Sequence, residues 1–313
     1  MSSIAERIAQ LTPEQRKLIA LRRQKQAEAK SRETAIQPLS GEGPWPASVD
    51  QTALWFLHKL NPDGKGYNIN SCARIEGPFD PETLQRSFNH IVARHEILRT
   101  SFTEIDGVPY QVVHPHMATP ITHKDVSHLP KEQREMAARA EIAAFVTPFD
   151  HETGPLVRMQ LIKLDKEDYV VQAMFDHTTI DWWSFQIFFN ELWVGYISEM
   201  EGKAPDLAPM PIQFRDYAVH RNQWLESDGY KQSIEFWKKK LHGAPPLLDI
   251  ATDRPRPAAP NYRGSVQRFQ VPLETLERLR QVASKANCSS LMSLLAVTFA
   301  FLSRYTGQKV LLI

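Results

Sequence analysis

The sequence predicts an α+β fold, a mixed sheet flanked by helices, and three observations predict it. Apolar residues recur at helical spacing in several long segments, while shorter segments rich in β-branched and aromatic residues read as strands. Helices and strands mix along the whole chain. Sequential strands are joined by polar turns rather than by helices, which disfavours a doubly wound parallel sheet. At 313 residues the chain is long enough to bury two cores, so two lobes are expected.

Residues 1–35 stand apart. Ser3 with Glu6 and Thr12 with Gln15 have capping-box spacing, and Pro13 sits where a first helical turn accepts proline. Leu18, Ile19 and Leu21 lead into the charged run RRQKQAEAKSRE, which has almost no apolar face. The segment reads as a solvated helix and linker; the sharper alternative is a docking element for another protein.

Residues 36–250 form the first lobe. Asp80-Pro81-Glu82 starts a helix with Leu84, Phe88, Ile91 and Val92 on its buried side. Ile97–Phe102 and Pro109–Val113 read as strands of a hairpin turning at Asp106-Gly107, and Lys131–Val146 is an alanine-rich helix. Val157–Leu164 and Tyr169–Phe175 are strands around the polar turn Asp165–Asp168. Phe185, Phe188, Phe189, Leu192, Trp193 and Tyr196 place one wide apolar stripe on a helix, which reads as core. A proline-rich patch follows from Lys203 to Pro211, then one helix carrying Trp224 and another carrying Phe236, Trp237 and Leu241.

Residues 251–313 open a second lobe. ATDRPRPAAPNYRG is a proline-laden crossing. A strand near Val266–Val271, a helix from Leu273 and an apolar helix over Leu291–Leu302 come next, and KVLLI reads as an unfinished strand. The expectation is a second lobe cut short.

Lysine plus arginine (37) nearly balance aspartate plus glutamate (36), so neither nucleic acid nor an anionic membrane is indicated as main partner. Cys72 and Cys288 make no disulfide framework. With no apolar run of bilayer length and no signal-peptide core, the expected location is cytoplasmic.

The stretch MFDHTTIDWWS, residues 174–184, carries the chemistry. Strand alternation puts Val171, Ala173, Phe175 and His177 on one face and Gln172, Met174 and Asp176 on the other. Asp176 and His177 therefore cannot share a cavity without a bend. An imidazole at a strand end can move a proton or hydrogen-bond a developing charge. The bland alternative is a histidine satisfied by a backbone carbonyl and an Asp181 that only caps a helix. His177 and Asp181 as i, i+4 metal ligands lack a third ligand at recognisable spacing. Ser184 has no nucleophile elbow around it.

The chain resembles the condensation domains of nonribosomal peptide synthetases, which have the chloramphenicol-acetyltransferase-like fold. Their central motif, His-His-x-x-x-Asp-Gly, stands here as Asp176-His177-Thr178-Thr179-Ile180-Asp181-Trp182, continued by Trp183 and Ser184. Further motifs follow in family order: ASVDQTALWFL at 47–57, RHEILRTSF at 94–102, FDHETGPLVR at 149–158, FRDYA at 214–218, and DRPRP at 253–257 with Tyr262-Arg263-Gly264. Asp176 replaces the first histidine and Trp182 the glycine, and the family's later motifs are missing. Asp176, Asp181 and Ser184 also satisfy the Asp-x-x-x-x-Asp-x-x-Ser pattern of heterocyclization domains. A degenerate member that binds partners without catalysis is a third alternative.

The resemblance implies amide formation between a donor acyl or peptidyl thioester and an acceptor aminoacyl thioester. Both would arrive on 4′-phosphopantetheine arms of partner carrier proteins, with no cofactor or metal bound intrinsically. An adjacent adenylation domain is implied, and residues 1–35 are the expected docking point for an upstream synthase. His177 is the implied catalytic residue, as base or as hydrogen-bonding group. Asp181 is implied to be structural, paired with Arg94 or, in reserve, Arg99. Asp176, Trp182, Trp183 and Ser184 are expected along the substrate tunnel, with Trp182 crowding the acceptor side.

Overall fold

The computed structural model describes residues 35–255, 258 and 264–312. The leader through residue 34 and most of the DRPRP–Tyr262-Arg263 crossing lie outside the described residues. The chain divides into two compact units, one through Glu226 and one from Ser227.

The first unit holds two sheets. β1 (Trp45–Pro46), β4 (Val108–Val113) and β3 (Thr100–Ile105) form a small antiparallel sheet in the order β1-β4-β3. The second sheet has the order β2-β7-β6-β5, from β2 (Asn68–Glu76), β7 (Asp168–Asp176), β6 (Val157–Asp165) and β5 (Thr122–Asp125). Its β2–β7 and β6–β7 pairs are antiparallel and β5–β6 is parallel, so the sheet is mixed, as the turn-linked strands predict.

Helices α1 (Val49–Leu60), α2 (Pro81–Arg94), α3 (Lys131–Phe145), α4 (Trp182–Met200) and α5 (Phe214–Leu225) complete the unit. Asp80 caps α2 by accepting from the Glu82 and Thr83 amides, with Pro81 in the first turn where its missing N–H costs nothing. Leu84, Phe88 and Ile91 of α2, Phe188 and Leu192 of α4, and Val171, Ala173 and Phe175 of β7 form the main core. Each of these side chains larger than alanine contributes about 1.5–3 kcal/mol when fully buried. α2 and α4 meet closely at Gly195, where a Cβ would lie 2.6 Å from Ser87 Oγ; that hydroxyl donates to the Leu192 carbonyl at 2.7 Å. On the opposite face of β7, Met174 joins Trp55, Phe102, Phe149 and Leu156 in a second core. Val126, Ala138, Ile162 and Leu164 make a third, under α3.

The strand expected from Ile97 begins later. Glu96–Arg99 is a 3-10 turn, and β3 starts at Thr100, whose hydroxyl donates to the Glu96 carbonyl at 2.7 Å. β5 carries no periodic signal, because its four side chains are polar and exposed, and β2 alternates only weakly, with Ile69 and Ile75 packed on the main core between polar neighbours.

The second unit carries α6 (Asp228–Leu241), α7 (Leu273–Lys285) and α8 (Ser290–Thr306). Ser289 caps α8 at its start, and Gly307, at φ 73°, closes it by donating its backbone N–H to the Ser303 carbonyl at 2.9 Å. The strands expected at Val266–Val271 and in KVLLI are not formed among the described residues. Val266 and Phe269 are exposed, and among the described residues no strand pairs with either segment.

Candidate active site

The turn from β7 into α4 is pinned on all sides. β2 runs antiparallel to β7 with Asn68 opposite Asp176, and one residue further the His177 amide donates to the Tyr67 carbonyl at 3.0 Å. The Asp176 carboxylate accepts from the Thr178 amide (2.9 Å) and hydroxyl (2.6 Å). The Asp176 carbonyl accepts from the amide and hydroxyl of Thr179. From behind, the buried Gln51 of α1 donates to the Thr178 carbonyl at 3.1 Å, while its other amide atom accepts from the Ser48 amide at 3.0 Å.

Alternation separates the two neighbours as the strand period requires. Asp176 is buried and His177 is exposed. His177 lies on the wall of a cavity of about 680 Å³, together with Thr178, Thr179, Ser184, His95 and Tyr217. Its ring has no hydrogen-bond partner and no carboxylate pairs with it among the described residues.

Asp176 faces away from the cavity toward His151, whose Nε2 lies 3.0 Å from Asp176 Oδ2. Burial opposes ionisation of Asp176, but the His151 contact and charge and the Thr178 donors outweigh it and hold the carboxyl below the usual carboxylate range. The His58 ring stacks on His151 with centroids 3.9 Å apart. Burial, then electrostatic repulsion from His151, pushes the His58 imidazole down.

Asp181 does not pair with Arg94 or Arg99, and that expectation is corrected. It is the N-cap of α4, accepting from the Ser184 amide at 2.7 Å and hydroxyl at 2.6 Å. Those two hydrogen bonds hold its carboxyl below the ordinary value. Arg94 instead pairs with Glu191, ten residues beyond Asp181 in α4, at 3.0 Å, and His95 Nε2 reaches the same oxygen at 2.7 Å. Burial works against the Glu191 charge, but those two partners hold its carboxyl down. Arg99 pairs with Glu96 at 3.6 Å and donates to the His114 carbonyl. A half-buried Glu191 answers a guanidinium better than an exposed Asp181 already engaged as a cap.

Trp182 and Trp183 are 74% and 75% exposed, and neither lines the cavity. Trp182 stacks on Phe185 instead of narrowing the cavity, with centroids 5.8 Å apart. Ser184 does line it, bound to Asp181.

Sequence reasoning missed Gln51, His151 and Glu191. The first two sit inside motifs that carry the family resemblance without revealing what each side chain does. Glu191 is one of three polar residues, with Gln186 and Asn190, that lie among the aromatic stripe residues of α4. The cavity's far wall is fixed by Gln213, which accepts from the Glu96 amide and donates to the Arg94 carbonyl, each at 3.1 Å. Arg215 adds a 3.1 Å contact to Glu96.

The Condensation domain family model matches residues 42–313. The chain belongs to the condensation-domain family. It is 38% identical over 274 residues to a linear gramicidin synthase protein of Brevibacillus parabrevis, covering 87% of this chain and 4% of that protein. It is 33% identical over 311 residues to the phosphinothricin tripeptide synthetase PhsC of Streptomyces viridochromogenes, covering 99% of this chain and 28% of that protein. The chain thus spans a small part of these curated relatives. Among solved structures, the X-domain from teicoplanin biosynthesis superposes with a TM-score of 0.75 at 24% identity, over 87% of this chain and 59% of that one. The first condensation domain of the CDA synthetase gives 0.68 at 23% identity, over 86% and 64%. These similarities establish the shared fold of the condensation domain. No single helix among its described residues is long and apolar enough to cross a membrane.

Proposed function

We propose that this condensation domain joins a donor acyl or peptidyl thioester to an acceptor aminoacyl thioester, with His177 at the meeting point. The observation that carries the reading is the His177 ring, exposed on a cavity and set on a turn fixed from three directions.

The acceptor amine attacks the thioester carbonyl, the C–S bond breaks, and the proton leaving the nitrogen ends on the departing thiol. A thioester is already activated, so no covalent nucleophile is required of the protein. The main contribution is holding two tethered reactants in line. No carboxylate among the described residues supports a charged His177 ring, unlike a histidine backed by an aspartate. That favours a histidine acting by hydrogen bonds to the amine and the tetrahedral oxygen over one acting as a strong base.

The substrates would ride on phosphopantetheine arms of donor and acceptor carrier proteins. An upstream synthase docking through residues 1–35 and an adjacent adenylation domain belong to the same reading, with residues 36–250 as first lobe and 251–313 as the start of the second. The heterocyclization alternative is not favoured, because the three residues of its pattern do not work together here. Asp176 is turned away from the cavity, and Asp181 and Ser184 are bound to each other. The named relatives are peptide synthetases.

With loaded carrier proteins, His177→Ala should cut dipeptidyl product by about a hundredfold or more while leaving the fold intact. Full product from that variant overturns the role of His177. Product lighter by one water, formed only with cysteine, serine or threonine acceptors, would establish heterocyclization instead. Carrier-protein binding with no product from the wild type would establish the non-catalytic alternative.

A further inference from the structure

On the side of β7 away from the cavity lies a group of ionisable side chains that the proposed reaction does not touch. His151 is 3% exposed and Asp176 is 6% exposed. The 3.0 Å approach of His151 Nε2 to Asp176 Oδ2 is off the line of a good hydrogen bond, and His151 Nδ1 meets no partner among the described residues. The stacked His58 ring covers one face of His151, and the Phe102 ring lies 5.9 Å away. The His151 carbonyl accepts from the Phe102 amide at 2.7 Å, which ties the backbone that carries this imidazole to β3.

Burying a carboxylate and an imidazole, with a second, half-buried imidazole stacked on them, is expensive, and simple packing here would be served better by apolar side chains. The group has one connection that leads elsewhere. Asp176 Oδ2 faces His151, while Oδ1 holds the amide and hydroxyl of Thr178, the residue after His177. One carboxylate therefore links the buried imidazole to the turn that presents the exposed one.

We propose that the His151–Asp176 pair, with His58 stacked behind it, is a positioning element for His177: the imidazole fixes the carboxylate, and the carboxylate fixes the turn. The inference rests on the reading of His177 as the catalytic residue. Asp176 and His151 do not line the cavity, so they act through the turn. This gives Asp176 a use that differs from that of a second histidine at the cavity wall.

The test compares His151→Phe, Asp176→Asn and His177→Ala in the full chain, with rates scaled to the folded fraction. In the first two, amide exchange at Thr178 and Thr179 should quicken about tenfold or more. The His177 ring resonance, assigned by its loss in His177→Ala, should shift. Turnover should fall about tenfold with KM for both carrier-bound substrates within about twofold of wild type, the split expected when geometry rather than binding is lost. His151→Gln keeps an N–H toward Asp176 and should recover most of the turnover lost in His151→Phe; it also serves if His151→Phe does not fold. Wild-type exchange and an unmoved His177 resonance in Asp176→Asn and His151→Phe overturn the proposal. Full activity in His177→Ala overturns the catalytic reading instead, and the exchange measurements still decide whether the pair holds the turn.

Discussion

Asp176 and Asp181 flank the same histidine, five residues apart, and the protein uses them in opposite ways. Asp176 ends a strand, is buried, and divides its two oxygens between His151 and Thr178. Asp181 begins a helix, is exposed, and closes a local loop onto Ser184. Both carboxyls are held below their ordinary value, one by a long-range partner outweighing burial and the other by the first turn of its own helix. The lesson is that a shared direction of shift says little about what a carboxylate is worth: loss of Asp176 disconnects distant segments, whereas loss of Asp181 frays one helix end.

Substitution makes that contrast measurable. Asp176→Ala leaves buried His151 and Thr178 without their partner and should destabilise the first unit by about 3 kcal/mol in urea unfolding, the upper end of the range for leaving buried polar groups unpaired. A cost below that of Asp181→Ala would erase the contrast. Gln51→Ala removes the buried donor to the Thr178 carbonyl and should cost about 1–2 kcal/mol, with a larger loss of turnover than its stability loss explains. Asp181→Ala should cost about 1 kcal/mol, as for other helix caps. In a double-mutant cycle, Asp181 and Arg94 should couple by less than about 0.5 kcal/mol, while Glu191 and Arg94 couple more strongly.

Acid supplies an independent check. Because the folded carboxyl of Asp176 lies below its ordinary 3.8, the unfolded chain binds more protons in that range. Its contribution is present above the ordinary value and drains away as pH falls through the folded value. Asp176→Asn should flatten that acid-side slope, measured as urea midpoints across a pH series. An unchanged slope would mean that Asp176 adds nothing to acid-side stability.

Much of the fold is readable from residue patterns, because its segments obey one period each. The stripe Phe185–Tyr196 becomes the buried side of α4, and the alternation of Val171 to His177 sorts Asp176 from His177 correctly. What escapes is set by pairing rather than by period. β5 is four exposed polar residues that are extended because β6 lies beside them, and Glu96–Arg99 winds into a 3-10 turn although Ile97 and Leu98 read as strand. The site divides similarly. His177 follows from its motif, but the partner of Arg94 does not, since Glu191 and Asp181 are both acids on one helix and only burial and distance choose between them.

The ladder between β2 and β7 pairs every residue from Asn68–Asp176 to Glu76–Asp168, and the His177 amide extends it by one bond to Tyr67. Side chains on a strand change face at each step, so sliding β7 by a single position would turn it over. The carboxylate would then look into the cavity and the imidazole into the core. Which of two adjacent functional groups meets the substrate is thus decided by backbone alignment across the sheet, at a distance from any reacting atom.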